Sequence, residues 1–214
     1  MNLSSPLPFE LGETQKGTDT DGNIIDYDWA GKLFLISDQN MGAARTTPRR
    51  TGRQLWGVPL LNNSGITLYG KRLARLKRAG GFTDMQRVDG YATVLADHGL
   101  VVIDEYLATS GVADKYYFWG IVRGPVKILT PTAGADFNGD ISIGAQLIAA
   151  TGATSGNSTS GRISNVTFTN ATAGNSSNGF DAFKAAFYNV GRALSARTTG
   201  ETAADLLINA QIIY

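Results

Sequence analysis

Short apolar segments recur along the second half of the chain, and clusters of turn-forming residues separate them. From Val88 onward these segments are YATVLA, GLVVIDEYLA, YYFWGIVRGPVKILT, ISIGAQLIAAT and RISNVTFTNAT, with Gly, Asp, Asn or Ser clusters between them. Short runs bounded by turn signals are typical of strands rather than helices. The sequence therefore predicts a mainly β fold, built as a small β-barrel or β-sandwich module.

The segment YYFWGIVRGPVKIL, residues 116–129, combines four aromatic residues with a strand pattern. In VRGPVKIL the apolar and polar side chains alternate, as expected of a strand with one buried face. Pro125 lacks an N–H group, so the strand begins there or runs along a sheet edge. We expect Tyr116, Tyr117, Phe118 and Trp119 to fill a core and to form part of a seam between subunits, because aromatic side chains bury a large area. An ordinary core or surface role also explains them.

The first 87 residues give a different pattern. Residues 1–23 indicate an extended N-terminal arm, and NIIDYDW with KLFLIS predicts a short hairpin. The stretch DQNMGAARTTPRRTGRQLWGVPLLNNSG contains many breakers and indicates a long loop that is ordered by contact with another molecule. LYGKRLARLKRAGGF predicts a short helix with Leu68, Leu73 and Leu76 on one stripe, and FDAFKAAFYNVG is a second helix candidate.

Charge is distributed unevenly, although the net charge of the whole chain is only +1. Residues 1–40 contain two basic and seven acidic residues, a net charge of −5, whereas residues 41–90 contain ten basic and two acidic residues, a net charge of +8. A segment this basic needs an acidic partner, which the N-terminal segment or a neighbouring subunit could supply. We divide the chain into an acidic N-terminal arm and hairpin (1–40), a basic loop and short helix (41–87) and a β-rich domain (88–214).

The sequence contains no motif for catalysis or cofactor binding. It has no cysteine, which excludes disulfides, thiolate zinc sites and cysteine nucleophiles. His98 is the only histidine, and no G-x-S-x-G, P-loop or G-x-G-x-x-G sequence occurs. The turns DTDGN and DFNGD resemble the start of a calcium loop, but the glycine offset is wrong and the later Glu is missing, so they favour turns with Asx hydrogen bonds. We expect no enzyme activity, no metal and no cofactor.

The N-terminus, MNLSSPLPFELGETQKG, lacks the basic start and apolar run of a signal peptide. No apolar stretch approaches the roughly 20 residues that span a bilayer. We therefore expect synthesis in a cytoplasm and no membrane partner.

Two short segments in the β-rich half carry a resemblance to a known family. They are IGAQL, Ile143–Leu147, and VGRAL, Val190–Leu194, and they follow VDGYATVLADHGLVVID and the aromatic-rich FWGIVRGPVKILT. This order of segments resembles the small capsid decoration, or cement, proteins of tailed bacteriophages. Gln146 departs from the family pattern, in which an acidic residue is commoner at that position, and residues 1–87 form an extension that the compact family pattern lacks.

The resemblance implies a structural virion protein, made in the host cytoplasm, on the outer surface of an icosahedral phage capsid. Such a protein binds the major capsid protein, commonly as a trimer, and stabilises the contacts between capsid subunits. The contacts to the capsid or to a neighbouring copy are assigned to basic and aromatic residues: Arg45, Arg49, Arg50, Arg53, Trp56, Lys71, Arg72, Arg75, Lys77, Arg78, Tyr116, Tyr117 and Trp119.

Two other functions remain open from the sequence. The basic residues between positions 45 and 78 could contact nucleic-acid phosphates, in particular Arg72, Arg75 and Arg78. Direct nucleic-acid binding is the weaker interpretation, since only Trp56 and Tyr69 are interleaved with these residues for base stacking. A β-sandwich carbohydrate-binding module on the virion surface, with Trp56 or Trp119 stacking on sugar, is the third possibility.

Overall fold

The computed structural model describes residues 7–37, 53–79, 82–92, 99–130, 140–149, 162–165, 189–197 and 205–212. Its strands are β1 (Gln15–Lys16), β2 (Phe34–Ser37), β3 (Gln54–Asn62), β4 (Leu73–Ala79), β5 (Phe82–Tyr91), β6 (Leu100–Ile103), β7 (Tyr116–Leu129), β8 (Gln146–Ala149), β9 (Ile163–Asn165), β10 (Asn189–Ala193) and β11 (Asp205–Gln211). These described ranges contain no helix. The predicted mainly β fold is confirmed.

Five strands close into a barrel in the order β3, β5, β4, β6 and β7, and β7 returns to pair with β3. The β3–β5 pair is parallel, and the other four pairs are antiparallel. Gly120 of β7 allows close packing within the barrel, since a Cβ there would lie 2.7 Å from Leu60 Cδ1 and 3.0 Å from Val101 Cβ. The expected small barrel is therefore present.

The remaining strands lie outside the barrel. β2 pairs with β3, and β1 pairs with the first two residues of β7. The last seven residues of β7, Arg123–Leu129, pair with β11, which is followed in the sheet by β10, β8 and β9. We call these four strands (β8–β11) the sheet extension. β7 therefore belongs to the barrel in its first half and to the extension in its second.

The helix predicted around Leu68–Arg78 is wrong, because residues 73–79 form β4. The pairing of β4 with β5 shifts register on both sides of Leu76. The unpaired residues at these shifts lie in β5, which skips Asp89 and then residues 85–87, so β4 is paired irregularly around Leu76. Leu73 and Leu76 are both buried although they are three residues apart, which imitates a helical spacing in a strand.

The long loop predicted before residue 66 is also corrected, since it contains β3, a central strand of the barrel. Gly57 and Pro59 gave the breaker signal, yet Pro59 lies opposite Trp119 in the ladder and its carbonyl accepts a hydrogen bond from Gly31 N at 3.0 Å. The predicted hairpin does not form either, because β2 pairs with β3 instead of with residues 24–30.

The proposed boundary between residues 87 and 88 falls inside β5. Strands from both sides of it close the barrel, so the β-rich unit is not confined to residues 88–214. Most of the second helix candidate lies outside the described residues, and its last residues, from Asn189, belong to β10.

Candidate functional site

An N-terminal segment, residues 7–37, covers one face of the barrel through aromatic contacts. The cluster consists of Phe9, Tyr27, Trp29, Phe34, Tyr117 and Trp119. Trp119 packs against Phe9 with 5.1 Å between ring centroids, and Trp29 meets Tyr117 edge-on at 4.8 Å. Tyr27 stacks on Trp29 at 4.6 Å. Offset and edge-to-face pairs of this kind add to the stabilisation from area burial alone.

Polar groups fix the same segment to the barrel. Trp119 Nε1 donates to the carbonyl of Phe9 at 3.1 Å, and the Tyr117 hydroxyl donates to the carbonyl of Ile25 at 2.9 Å. The carboxylate of Asp104, which follows β6 and is buried, accepts a hydrogen bond from Gly12 N at 2.5 Å. Residues 7–37 are thus an integral layer of the fold rather than a free arm.

The aromatic residues predicted as contact residues divide between the interior and the surface. Tyr117 and Trp119 are 1% and 0% exposed, so neither ring is accessible in this chain. Tyr116 and Trp56 are half-buried and pack against the core. The aromatic residues at the start of β7 are crowded together because the N-terminal layer packs on them. The sequence alone gave no sign of this layer.

The basic residues predicted as contact residues differ in their surroundings. Arg45, Arg49 and Arg50 lie outside the described residues. Arg53 pairs with the buried Glu105 at 3.0 Å, and Arg75 pairs with Asp89 at 2.6 Å.

The other predicted basic residues lie at or within β4. Lys71 and Arg72 precede the strand, while Lys77 is half-buried and Arg78 is exposed within it. The Arg72 guanidinium lies 5.1 Å from the centroid of the Tyr91 ring, within the range of a cation–π contact. Among the described basic residues, Arg53, Arg72 and Arg75 are thus engaged by contacts within the chain.

The expected acidic partner of the basic segment is in part the N-terminal segment itself. Arg87 of β5 pairs with Asp26 at 2.8 Å, and this contact raises the pKa of Arg87. Burial raises the pKa of Glu105, whereas the nearby charges of Arg53, Lys127 and Lys71 act in the opposite direction. The charge asymmetry of the sequence is therefore partly neutralised within one chain.

The two segments that carry the family resemblance are neighbours in the structure. β8 pairs with β10, with Leu147 opposite Gly191 and Gln146 opposite Arg192. Gly191 has a φ of 154°, and a side chain there would collide with the carbonyl oxygen of Asn209 in β11. The glycine of VGRAL is therefore required by close packing of β10 on β11.

This pairing leaves two large apolar side chains exposed at one end of the extension. Gly144 N donates to the carbonyl of Ala193 at 2.8 Å, so that Ile143 and Leu194 lie on neighbouring backbone segments. Ile143 is 71% exposed and Leu194 is 44% exposed. We call these two residues the apolar pair. The sequence prediction did not include them, although both belong to the segments that carry the resemblance.

A second exposed row crosses four strands on the outer face. Leu35 of β2 lies opposite Trp56, Trp56 lies opposite Arg123 of β7, and Arg123 lies opposite Gln211 of β11. Leu35 is 38% exposed, and the neighbouring Leu33 is 43% exposed. Among the described residues, Trp56 is thus a predicted contact residue that lies opposite an exposed apolar side chain, Leu35.

The acidic turn DTDGN forms the expected Asx hydrogen bonds. Asp19 Oδ1 accepts from Asp21 N at 2.9 Å and from Asn23 N at 2.8 Å, and Asp19 Oδ2 accepts from Asn23 Nδ2 at 3.1 Å. The bond from the Asn23 side chain, followed by the backbone bonds, lowers the pKa of Asp19. In the described part of the chain, no three His, Cys, Asp or Glu side chains are grouped as metal ligands would be. The same residues include no helix long and apolar enough to cross a membrane.

No protein-family model matches the chain, and no curated protein matches its sequence at a significant level.

Proposed function

We propose that the protein is a structural virion component that binds the outside of a tailed-phage capsid and stabilises contacts between major capsid protein subunits. The observation that carries this proposal is the adjacency of β8 and β10, which places the two family-like segments side by side and exposes the apolar pair. An exposed isoleucine and leucine on neighbouring backbones favour burial against another protein surface. The proposal includes the trimeric state that the resemblance implies.

The rigid barrel suits such a role because it presents a preformed surface. Little ordering entropy is lost when residues already fixed by a closed sheet bind a partner. The outer row of Leu33, Leu35 and Trp56 supplies a second apolar contact for the capsid or for a neighbouring copy. Two separated contacts on one rigid body would allow it to link two capsid subunits.

Neither alternative function gains a specific supporting observation. Among the three arginines predicted to contact nucleic acid, Arg75 pairs with Asp89 and Arg72 lies over Tyr91, which leaves Arg78 as the exposed one. For carbohydrate binding, Trp119 is fully buried and cannot stack on a sugar.

Co-sedimentation with mature and immature empty capsids, at low and high salt, tests the proposal. We expect salt-resistant binding to mature capsids at a fixed stoichiometry, because apolar contacts are weakly screened by salt. The double variant Ile143→Asp with Leu194→Asp should lose binding, since it places two charges in the interface.

Ile66→Asp is the matched control, because Ile66 is also exposed, at 39%, and lies between β3 and β4. It should bind capsids like the wild type. Wild-type protein that binds no capsid at either salt would overturn the proposal, and equal binding by the double variant would remove the apolar pair from the interface.

A further inference from the structure

Three arginines lie next to strands of the barrel and of the sheet extension, close enough that the charges of Arg72 and Arg197 both act on Arg162. Arg72 precedes β4, Arg162 precedes β9 and Arg197 follows β10. We call them the arginine cluster. They are distant from one another in the sequence and share no motif, so only folding brings them near each other.

Backbone contacts at the end of β7 position the first two. Arg162 Nη1 donates to the carbonyl of Thr130 at 3.1 Å, and Leu129 N donates to the carbonyl of Lys71 at 2.7 Å. Arg162 and the residue before Arg72 are therefore held at adjacent residues of one strand end, and the Arg72 carbonyl itself accepts from Ile103 N at 2.8 Å. Arg197 is held by two backbone hydrogen bonds with Ile141, each 2.8 Å long.

The cluster is buried and carries donors that no described residue satisfies. Arg162 is 7% exposed and Arg197 is 3% exposed. The Nε atoms of Arg72 and Arg162 are buried and form no hydrogen bond within the described part of the chain. A buried charged donor without an acceptor is costly, so its persistence calls for a bound group.

The charges around Arg162 add to this cost. Burial lowers the pKa of Arg162, and the positive charges of Arg72 and Arg197 lower it further. Like charges at this depth repel each other with little solvent screening.

We propose that the arginine cluster binds a small oxyanion, phosphate or sulfate, with Arg162 and Arg72 as its principal donors. The planar guanidinium offers paired N–H groups that match the oxygens of such an anion. With Nη1 of Arg162 committed to Thr130, its Nε and Nη2 edge is the one directed to the ligand. The bound anion neutralises the repulsion and ties β9 of the extension to the start of β4 in the barrel.

Thermal unfolding of the full chain in sodium phosphate, against sodium chloride at matched ionic strength, tests this site. A specific anion raises the unfolding midpoint along a saturating curve, because it binds only the folded state. Phosphate and sulfate also stabilise proteins generally by exclusion from the surface, an effect that does not saturate. The expected result for the wild type is a saturating component, and isothermal titration with phosphate should give the same affinity.

Arg162→Met should weaken phosphate binding by roughly tenfold or more, the loss expected for a charge-assisted pair. In chloride the variant loses the hydrogen bond to Thr130 but is relieved of the repulsion, so its stability should lie close to that of the wild type. Arg123→Met, at an exposed position of β7, is the matched control and should retain the wild-type response.

Three results would overturn the site. The first is the absence of phosphate binding by the wild type in the titration. The second is a saturating response of equal size in Arg162→Met. The third is a large loss of stability of Arg162→Met in chloride, which would mean that a carboxylate of the chain already occupies the cluster. None of these results depends on capsid binding, so they test the anion site independently of the proposed function.

Discussion

The two halves of β7 share one strand but lie in different surroundings. From Tyr117 to Val122 every residue is buried, because the barrel covers one face and the N-terminal segment covers the other. From Arg123 to Leu129 burial alternates, and β11 is the neighbouring strand. A continuous apolar run therefore marks a strand covered on both faces, and alternation marks one covered on a single face.

Substitution of Trp119 should give the largest effect, because it removes the centre of the doubly covered half. Trp119→Ala deletes the contacts with Phe9 and Phe34 and the hydrogen bond to the carbonyl of Phe9. We expect a loss of about 3–5 kcal/mol in the free energy of unfolding, the usual range for a buried aromatic. Chemical denaturation followed by circular dichroism measures it.

Trp56→Ala is the control for this substitution, since Trp56 is the same residue type at a half-buried surface position. Its cost should be clearly smaller. Equal costs for the two variants would contradict the view that the N-terminal layer buries Trp119.

In the second half of β7, the alternation itself can be tested. Ile128 is fully buried and Lys127 is half-buried on the opposite face. Ile128→Ala should cost about 2–5 kcal/mol, because it leaves a cavity, whereas Lys127→Ala should change stability by about 0.5 kcal/mol or less. Comparable losses in urea denaturation would show that both faces of this half are covered.

The sequence predicted this contrast only in part. The alternation in VRGPVKIL correctly identified the strand, and Pro125 lies where β7 pairs with β11 on one side. The run YYFWGIV correctly indicated burial, but its cover is a layer without long strands, held by aromatic contacts and side-chain hydrogen bonds. No periodicity marks such a layer, so the sequence indicates only an extended arm for residues 1–23 and a short hairpin after it.

Errors in the basic segment have a second physical cause. Leu73 and Leu76 are both buried at a spacing of three residues in a strand whose pairing is irregular beside Leu76. Gly57 and Pro59 interrupt the pattern of β3 although tertiary pairing retains both in the ladder. The apolar pair and the arginine cluster could not be predicted, because each depends on which distant segments become neighbours. Single residues such as Arg162 carry no local signal of this kind.

A pH titration tests the carboxyl group of Glu105, which contacts the second half of β7. Glu105 accepts a backbone hydrogen bond from Lys127 of β7, and burial raises its pKa above the ordinary 4.5. Between 4.5 and the raised value the folded state binds more protons than the unfolded state, so the contribution of Glu105 to stability falls as pH rises through that interval. Glu105→Gln should flatten the pH dependence of stability above pH 4.5.

The slope is the relevant measurement, because the substitution also removes the ion pair with Arg53 and so changes absolute stability. Chemical denaturation at a series of pH values gives the slope of the unfolding free energy against pH. Glu10→Gln, at an exposed position, should retain the wild-type slope. A steeper slope for Glu105→Gln would mean that Arg53 and the two lysines outweigh burial at this carboxyl.

The smallest expected effect separates hydrogen bonding from ring packing at the N-terminal layer. Tyr117→Phe keeps the ring against Tyr27 and Trp29 but removes the hydroxyl that donates to the carbonyl of Ile25. One such bond contributes about 0.5–1.5 kcal/mol to stability. Hydrogen exchange should show faster opening of residues 25–30 while the barrel strands keep their protection. Tyr69→Phe, at an exposed tyrosine, should leave this exchange unchanged. Equal acceleration in all barrel strands would mean that the layer and the barrel unfold as one unit, because the bond would then stabilise the whole fold rather than its outer layer.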